Sequence, residues 1–276
     1  MPLTRRAALK GVLATTIGAV TGATVYGGGY ERHEIGVTET TLRVRELRDA
    51  WDGIRIAFLS DIHHSSIVPA DDVARAVALA NAQKPDMVVL GGDYITSFDK
   101  SFVEPVAELL APLQARLGVY AILGNHDDDR LMPAALKRRG MEVLRDACRP
   151  VWLRGDALEL AGIEFWTREP ARIKEILRDA RAPVLLLAHD PRRLIEAAAL
   201  DVPAVLSGHT HGGQIVIPGL GALAARKYPV AAGNGRMGQT EIFVSRGIGT
   251  VYVPVRLNCP PEVAVVTLKS AKRHPV

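Results

Sequence analysis

Cysteine is almost missing from this chain: 2 of 276 residues, Cys148 and Cys259, too few for a disulfide framework. An oxidising compartment would let the two thiols pair; two half-buried, unpaired side chains are the plainer expectation. Aromatic residues are scarce at 5%, which argues against a stacking platform for single-stranded nucleic acid. Internal repeats and linker-like stretches are absent too. The chain therefore reads as one domain over residues 30–270, between an N-terminal segment 1–29 and a short mobile tail 271–276.

Beyond residue 29 there is also no excess of either charge. The formal net charge is +4, but Arg5, Arg6 and Lys10 supply three basic groups in a segment without acids. Setting those three aside leaves 31 basic against 30 acidic residues. The pI of about 9.2 thus reflects the N-terminus. With no basic footprint in the remainder, no nucleic-acid binding is expected. Hydrophobic content of 48% excludes a disordered chain.

What is present begins with Thr4-Arg5-Arg6-Ala7-Ala8-Leu9-Lys10, followed by an uncharged stretch over 11–29. This pattern resembles a twin-arginine signal, read by the export machinery of that name. The stretch is long enough for a membrane span, but its glycine and threonine content disfavours one. Export follows as an expectation, with peripheral membrane association if the segment is retained. Thr21-Gly22-Ala23 is the candidate cleavage site.

Five apolar runs then end in residues suited to metals. The run over 54–60 ends in Asp61-Ile62-His63-His64, 86–90 in Gly91-Gly92-Asp93-Tyr94, and 118–123 in Gly124-Asn125-His126-Asp127. The run over 184–188 ends in His189-Asp190-Pro191, and 202–206 leads into Gly208-His209-Thr210-His211-Gly212-Gly213-Gln214. Runs of this kind, separated by helical spacing at 69–83 and 131–139, predict an α/β sheet, which binds ligands at the carboxyl ends of its strands. Further helices are expected over 101–116, with Ser101 opening a capping box, and over 170–181 and 191–200. The remaining expectations are an opening strand or hairpin within 30–49, a hairpin within 151–166, a strand over 213–217, a glycine-rich loop over 218–238, and strands over 241–245 and 263–268.

These motifs, with Ser245-Arg246-Gly247-Ile248-Gly249-Thr250 and Cys259-Pro260-Pro261-Glu262, resemble the calcineurin-like metallophosphoesterases, and among them an exported YkuE-like branch. The resemblance implies a four-layer αββα sandwich. It implies one divalent ion held by Asp61, His63, Asp93 and His211, and a second held by Asp93, Asn125, His189 and His209, with Asp93 shared. Mixed oxygen and imidazole ligands suit Mn, Zn or Fe. The implied activity is phosphoester hydrolysis, with a diester as the better fit, by in-line attack of a hydroxide bridging two metals. His126 would stabilise the transition state or protonate the leaving oxygen, with Asp127 orienting it. His64 and Arg246, and similarly Arg226 and Lys227, are candidates to touch a phosphoester substrate from lipid, cell envelope or nucleotide. A phosphomonoesterase or pyrophosphatase and a non-catalytic metal-binding scaffold are the competing readings.

Overall fold

The computed structural model describes residues 5–271. In chain order its elements are α1 (Arg5–Gly29), β1 (Gly36–Arg45), β2 (Arg55–Leu59), α2 (Ala70–Ala82), β3 (Met87–Leu90), α3 (Val103–Leu110), β4 (Val119–Ala121), α4 (Leu131–Arg138), β5 (Glu142–Val143), β6 (Ala147–Leu153), β7 (Asp156–Gly162), α5 (Pro170–Ile176), β8 (Val184–Leu187), α6 (Leu194–Ala199), β9 (Ala204–Ser207), β10 (Gly233–Met237), β11 (Thr240–Val244) and β12 (Glu262–Ala271). They form two six-stranded sheets, ordered β1-β12-β2-β3-β4-β5 and β10-β11-β9-β8-β7-β6.

Alternate side chains of the central strands enter different layers, because successive residues of a strand point to opposite faces. Ile56 and Phe58 of β2 meet Leu185 and Leu187 of β8 between the sheets. Ala57 and Leu59 face the other way, onto Val73 and Val77 of α2 and Val106 of α3. In the second sheet Leu186 and Val205 pack outward onto Ile173 of α5 and Leu194 of α6. Three apolar cores thus separate four layers, helix, sheet, sheet, helix. Both faces of each central strand are covered, which is why those strands read as unbroken apolar runs.

Several boundaries differ from the sequence expectation, each for a local reason. Of the two alternatives for residues 30–49, a strand or a hairpin, the structure has the strand, β1, parallel to β12. Residues 213–217 form no strand; a tight helical turn at His211–Gly213 precedes isolated bridges Ile215 to Leu257 and Ile217 to Gly221. The glycine-rich 218–238 loop ends in β10, which pairs antiparallel with β11 as an edge strand. Asp99 caps the turn before α3 by accepting from Ser101 N–H, so Ser101 is not the cap. α3 and α5 are shorter than their apolar periodicity suggested. The tail over 271–276 lies almost wholly outside the described residues.

Cys148 and Cys259 are both unpaired. The first lies against Glu159 in the second sheet, while the Cys259 thiol donates to the His211 carbonyl at 3.3 Å.

Candidate dinuclear metal centre

Five strand ends meet in one place. β2 delivers Asp61 and His63, β3 Asp93, and β4 Asn125 and His126; from the second sheet β8 delivers His189 and β9 His209 and His211. At the exits of β2, β3 and β9 the chain turns in the left-handed region, at Asp61, His63, Asp93, His209 and His211 (φ 50° to 72°). That region costs a non-glycine residue on the order of 1 kcal/mol or more, a strain found where function requires a geometry. Backbone bonds hold it in place: Asp61 N–H donates to Gly92 O at 2.9 Å and His63 N–H to Asp93 O at 3.0 Å. Glycine is needed at Gly124 and Gly208 for closeness, since a Cβ there would collide with the Asp93 and Asp61 carboxylates respectively.

The side chains converge as two groups with atoms at ligand spacing. Asp61, His63 and His211 form one, and Asp93, His189 and His209 the other, with all ligand atoms of each group within 4.8 Å of one another. His63 Nε2 and His211 Nε2 are 3.1 Å apart. Asp93 Oδ2 lies 3.5 Å from His63 Nε2 and 3.1 Å from His189 Nε2, so one oxygen stands between the two groups. Ligands about 2.1 Å from a common cation are separated by roughly these distances. The other Asp93 oxygen is occupied, accepting from His126 N–H at 2.8 Å. Asp61 Oδ1 likewise accepts from His209 N–H at 2.8 Å.

The polar atoms left over test whether metals fit. Asn125 Oδ1, Asp61 Oδ2 and His189 Nε2 are buried and have no hydrogen-bond partner. Leaving such groups unpaired costs about 1–3 kcal/mol each; one cation in each group would satisfy them, Asp61 Oδ2 in the first and Asn125 Oδ1 and His189 Nε2 in the second. His189 Nδ1 donates to Gly91 O at 2.7 Å, which leaves Nε2 to face the centre, the arrangement metal-binding imidazoles use.

The electrostatics agree. Burial holds His63 down to about 4 and His209 to about 3, so both rings are neutral and able to ligate near pH 7. Burial also depresses His211 and raises Asp61 to about 6. At His189 burial opposes charge, but Asp93 and Asp61 outweigh it and lift the ring to about 10. Asp93 is pushed up by burial and pulled far lower by the charge of His189. The pocket therefore favours positive charge between its two carboxylates and excludes it elsewhere. The residues present fit two divalent cations.

His126 sits beside this centre with its ring centroid 4.9 Å from that of His63. Its Nδ1 accepts from Ser97 N–H at 2.9 Å. The neutral ring must then carry its proton on Nε2, which makes that atom a donor. Asp127 does not orient His126, as sequence suggested. Its carboxylate accepts from the N–H groups of Asp93 (2.8 Å), Tyr94 (2.8 Å) and Gly124 (2.9 Å), tying the loop after β4 to the loop after β3.

Two further sequence candidates have structural work instead. His64 is buried, donates from Nδ1 to Val68 O at 2.9 Å and packs its ring on Phe102. Arg246 is paired with Glu262 at 2.7 Å and bonded to Thr38, which consumes its charge. The structure does not bring either into the metal centre. Sequence reading missed Arg256, fully buried, whose guanidinium donates to the carbonyls of Arg246, Gly247, Gly249 and Cys259 and so shapes the loop over Asp61. It also missed Glu31, which accepts from Asn258 and Cys259 N–H. Neither carries a motif; an arginine among apolar neighbours was the sole sign.

A metal centre of this kind at the carboxyl ends of a two-sheet sandwich defines a class, the metal-dependent phosphoester hydrolases. The calcineurin-like phosphoesterase family model matches residues 54–213, more than half of the chain, and the chain belongs to that family. It is 34% identical over 268 residues to the phosphodiesterase YaeI of Escherichia coli, covering 91% of this chain and 96% of that protein. It is 32% identical over 284 residues to the uncharacterised metallophosphoesterase YkuE of Bacillus subtilis, covering 97% and 98%. Among solved structures, SoxB of Thermus thermophilus, described as a sulfate thiohydrolase, shares the fold at TM-score 0.50 and 15% identity, over 81% of this chain and 58% of that one.

Proposed function

We propose that this hydrolase is an exported phosphodiesterase. The observation that carries the catalytic reading is the position of Asp93 Oδ2 between His63 Nε2 and His189 Nε2. Bound to the two groups, divalent cations would supply Lewis-acid charge for the phosphoryl oxygens and lower the pKa of water to give a nucleophile at neutral pH. The chain does the rest. Asp61, Asp93 and the imidazoles hold the charge in place; backbone donors fix one oxygen of each carboxylate and leave the other for a ligand. His126 Nε2–H donates a hydrogen bond toward the charge that develops on the phosphoryl group. With Nδ1 engaged by Ser97 N–H, the neutral ring would become an anion on giving up its proton, so stabilisation is favoured over proton donation.

The diester preference is supported by the similarity to YaeI. Room beside the centre supports it too: a cavity of about 240 Å³ adjoins Asn125 and is walled by Phe165 and Trp166, space for a second ester substituent. Export is supported by Arg5-Arg6 and by the exposure of residues 12–22 of α1. Among the described residues no helix is long and apolar enough to cross a membrane.

The test compares bis(p-nitrophenyl) phosphate with its monoester and pyrophosphate after chelation and resupply of Mn, Zn or Fe(II). Metal-restored cleavage favouring the diester is expected; a monoester or pyrophosphate preference would overturn the assignment. For export, the R5K/R6K variant should accumulate in the cytoplasm, and unchanged fractionation would contradict that part.

A further inference from the structure

Aromatic residues are few in this chain, yet exposed ones gather at the mouth of the metal centre. Phe98, Trp166 and Tyr252 are 55%, 68% and 79% exposed. Phe98 N–H donates to the His126 carbonyl, Trp166 walls the cavity at Asn125, and the Tyr252 ring lies 5.9 Å from that of His126. Phe98 and Tyr252 are both held at φ near +60°, a conformation their side chains do not favour. The aliphatic tips Val253 and Leu220 stand exposed on neighbouring turns, joined through Gln214, whose side chain bonds to both N–H and C=O of Val251.

The same edge carries α1. Its last turn is built into the body: Arg256 N–H donates to Gly27 O at 3.1 Å, and a Cβ on Gly27 would strike the Arg256 carbonyl. Those contacts come directly after the Tyr252-Val253 tip. Earlier along α1, Val12, Leu13, Ile17 and Val20 are exposed and share one face, preceded by exposed Arg5 and Lys10. At the mouth itself Arg168, Arg226 and Lys227 are exposed and have no carboxylate partner among the described residues.

We infer that this rim is a docking surface for an anionic lipid bilayer, which presents the centre to a phosphodiester in a lipid headgroup. Aromatic and aliphatic tips interleaved with unpaired cations match a headgroup boundary, where tryptophan and tyrosine partition and each cation near the surface contributes about 1 kcal/mol. A second copy of the chain is disfavoured, since it would set the same cations against each other. The docking stands on the surface alone; its purpose rests on the phosphodiesterase reading.

The experiment uses the full chain with Trp152, exposed elsewhere, replaced by Phe, and vesicles of phosphatidylcholine with or without phosphatidylglycerol. With fully buried Trp51 as a constant background, the emission should shift blue through Trp166, and the protein should sediment with the anionic vesicles. Leu220→Glu/Val253→Glu should weaken that binding by about tenfold or more, two inserting apolar tips being replaced by negative charges that an anionic surface repels, while cleavage of soluble bis(p-nitrophenyl) phosphate is kept. Three results would overturn the inference: no sedimentation with either vesicle, binding by the double variant equal to wild type, or concentration-dependent dimerisation that the double variant abolishes. Loss of soluble-ester cleavage in the wild type would instead sink the phosphodiesterase reading and leave the docking result standing.

Discussion

The two sheets contribute unlike halves of the centre. The first supplies every oxygen ligand candidate, Asp61, Asp93 and Asn125, together with His63 and His126; the second supplies imidazoles alone, His189, His209 and His211. Neither group at ligand spacing is complete within one sheet. Asp61 and His63 need His211 from across the interface, and Asp93 needs His189 and His209. The difference teaches that the carboxylates sit on one side and face imidazoles on the other, His189 drawn toward positive charge by Asp93 and Asp61 and His209 and His211 held neutral by burial. Cations bound between them would join the sheets as well as serve chemistry.

The sharpest way to break this comparison is to remove the residue shared by both groups. Asp93→Ala should cost at least about a thousandfold in kcat, roughly 4 kcal/mol, and lower metal content measured by atomic emission; retention of two metals would show that the groups do not depend on Asp93. His126→Ala should separate catalysis from binding, with kcat down on the order of a hundredfold and metal content unchanged. An equal loss of metal would instead make His126 part of the ligand structure.

Chelation tests the joining role. A ligand at a hundred times its Kd stabilises by about 2.7 kcal/mol, so stripping the metals should lower Tm by about 5–10 °C for a domain of this size. Scanning calorimetry with and without chelator reads it, and an unchanged Tm would confine the cations to chemistry. The smallest effect belongs to His64, whose ring is committed to Val68 and Phe102. His64→Leu should leave turnover within about twofold while lowering the urea midpoint, through one lost buried hydrogen bond of about 1 kcal/mol. A large fall in kcat would return His64 to the site.

The strand-to-ligand logic was legible because β2, β3, β8 and β9 are covered on both faces, and their apolar runs stop where the polar loops begin. That Asp61, His63, Asp93, His209 and His211 would meet was also within reach of the motifs. Their left-handed backbone was not, since aspartate and histidine, although enriched in that region, enter it too seldom for a sequence to announce it. Asp127 was misread because a carboxylate after histidine looks the same whether it orients a ring or gathers four backbone N–H groups. Arg246 was misread for a related reason: Glu262, sixteen residues on, becomes its partner only when β12 enters the first sheet.

The most direct measurement is electron paramagnetic resonance of the protein loaded with two equivalents of Mn(II). If Asp93 Oδ2 is shared by two cations, the spectrum should show an exchange-coupled pair, lost in Asp93→Ala. Two independent six-line manganese signals in the wild type, or binding of a single ion, would contradict a centre built across both sheets.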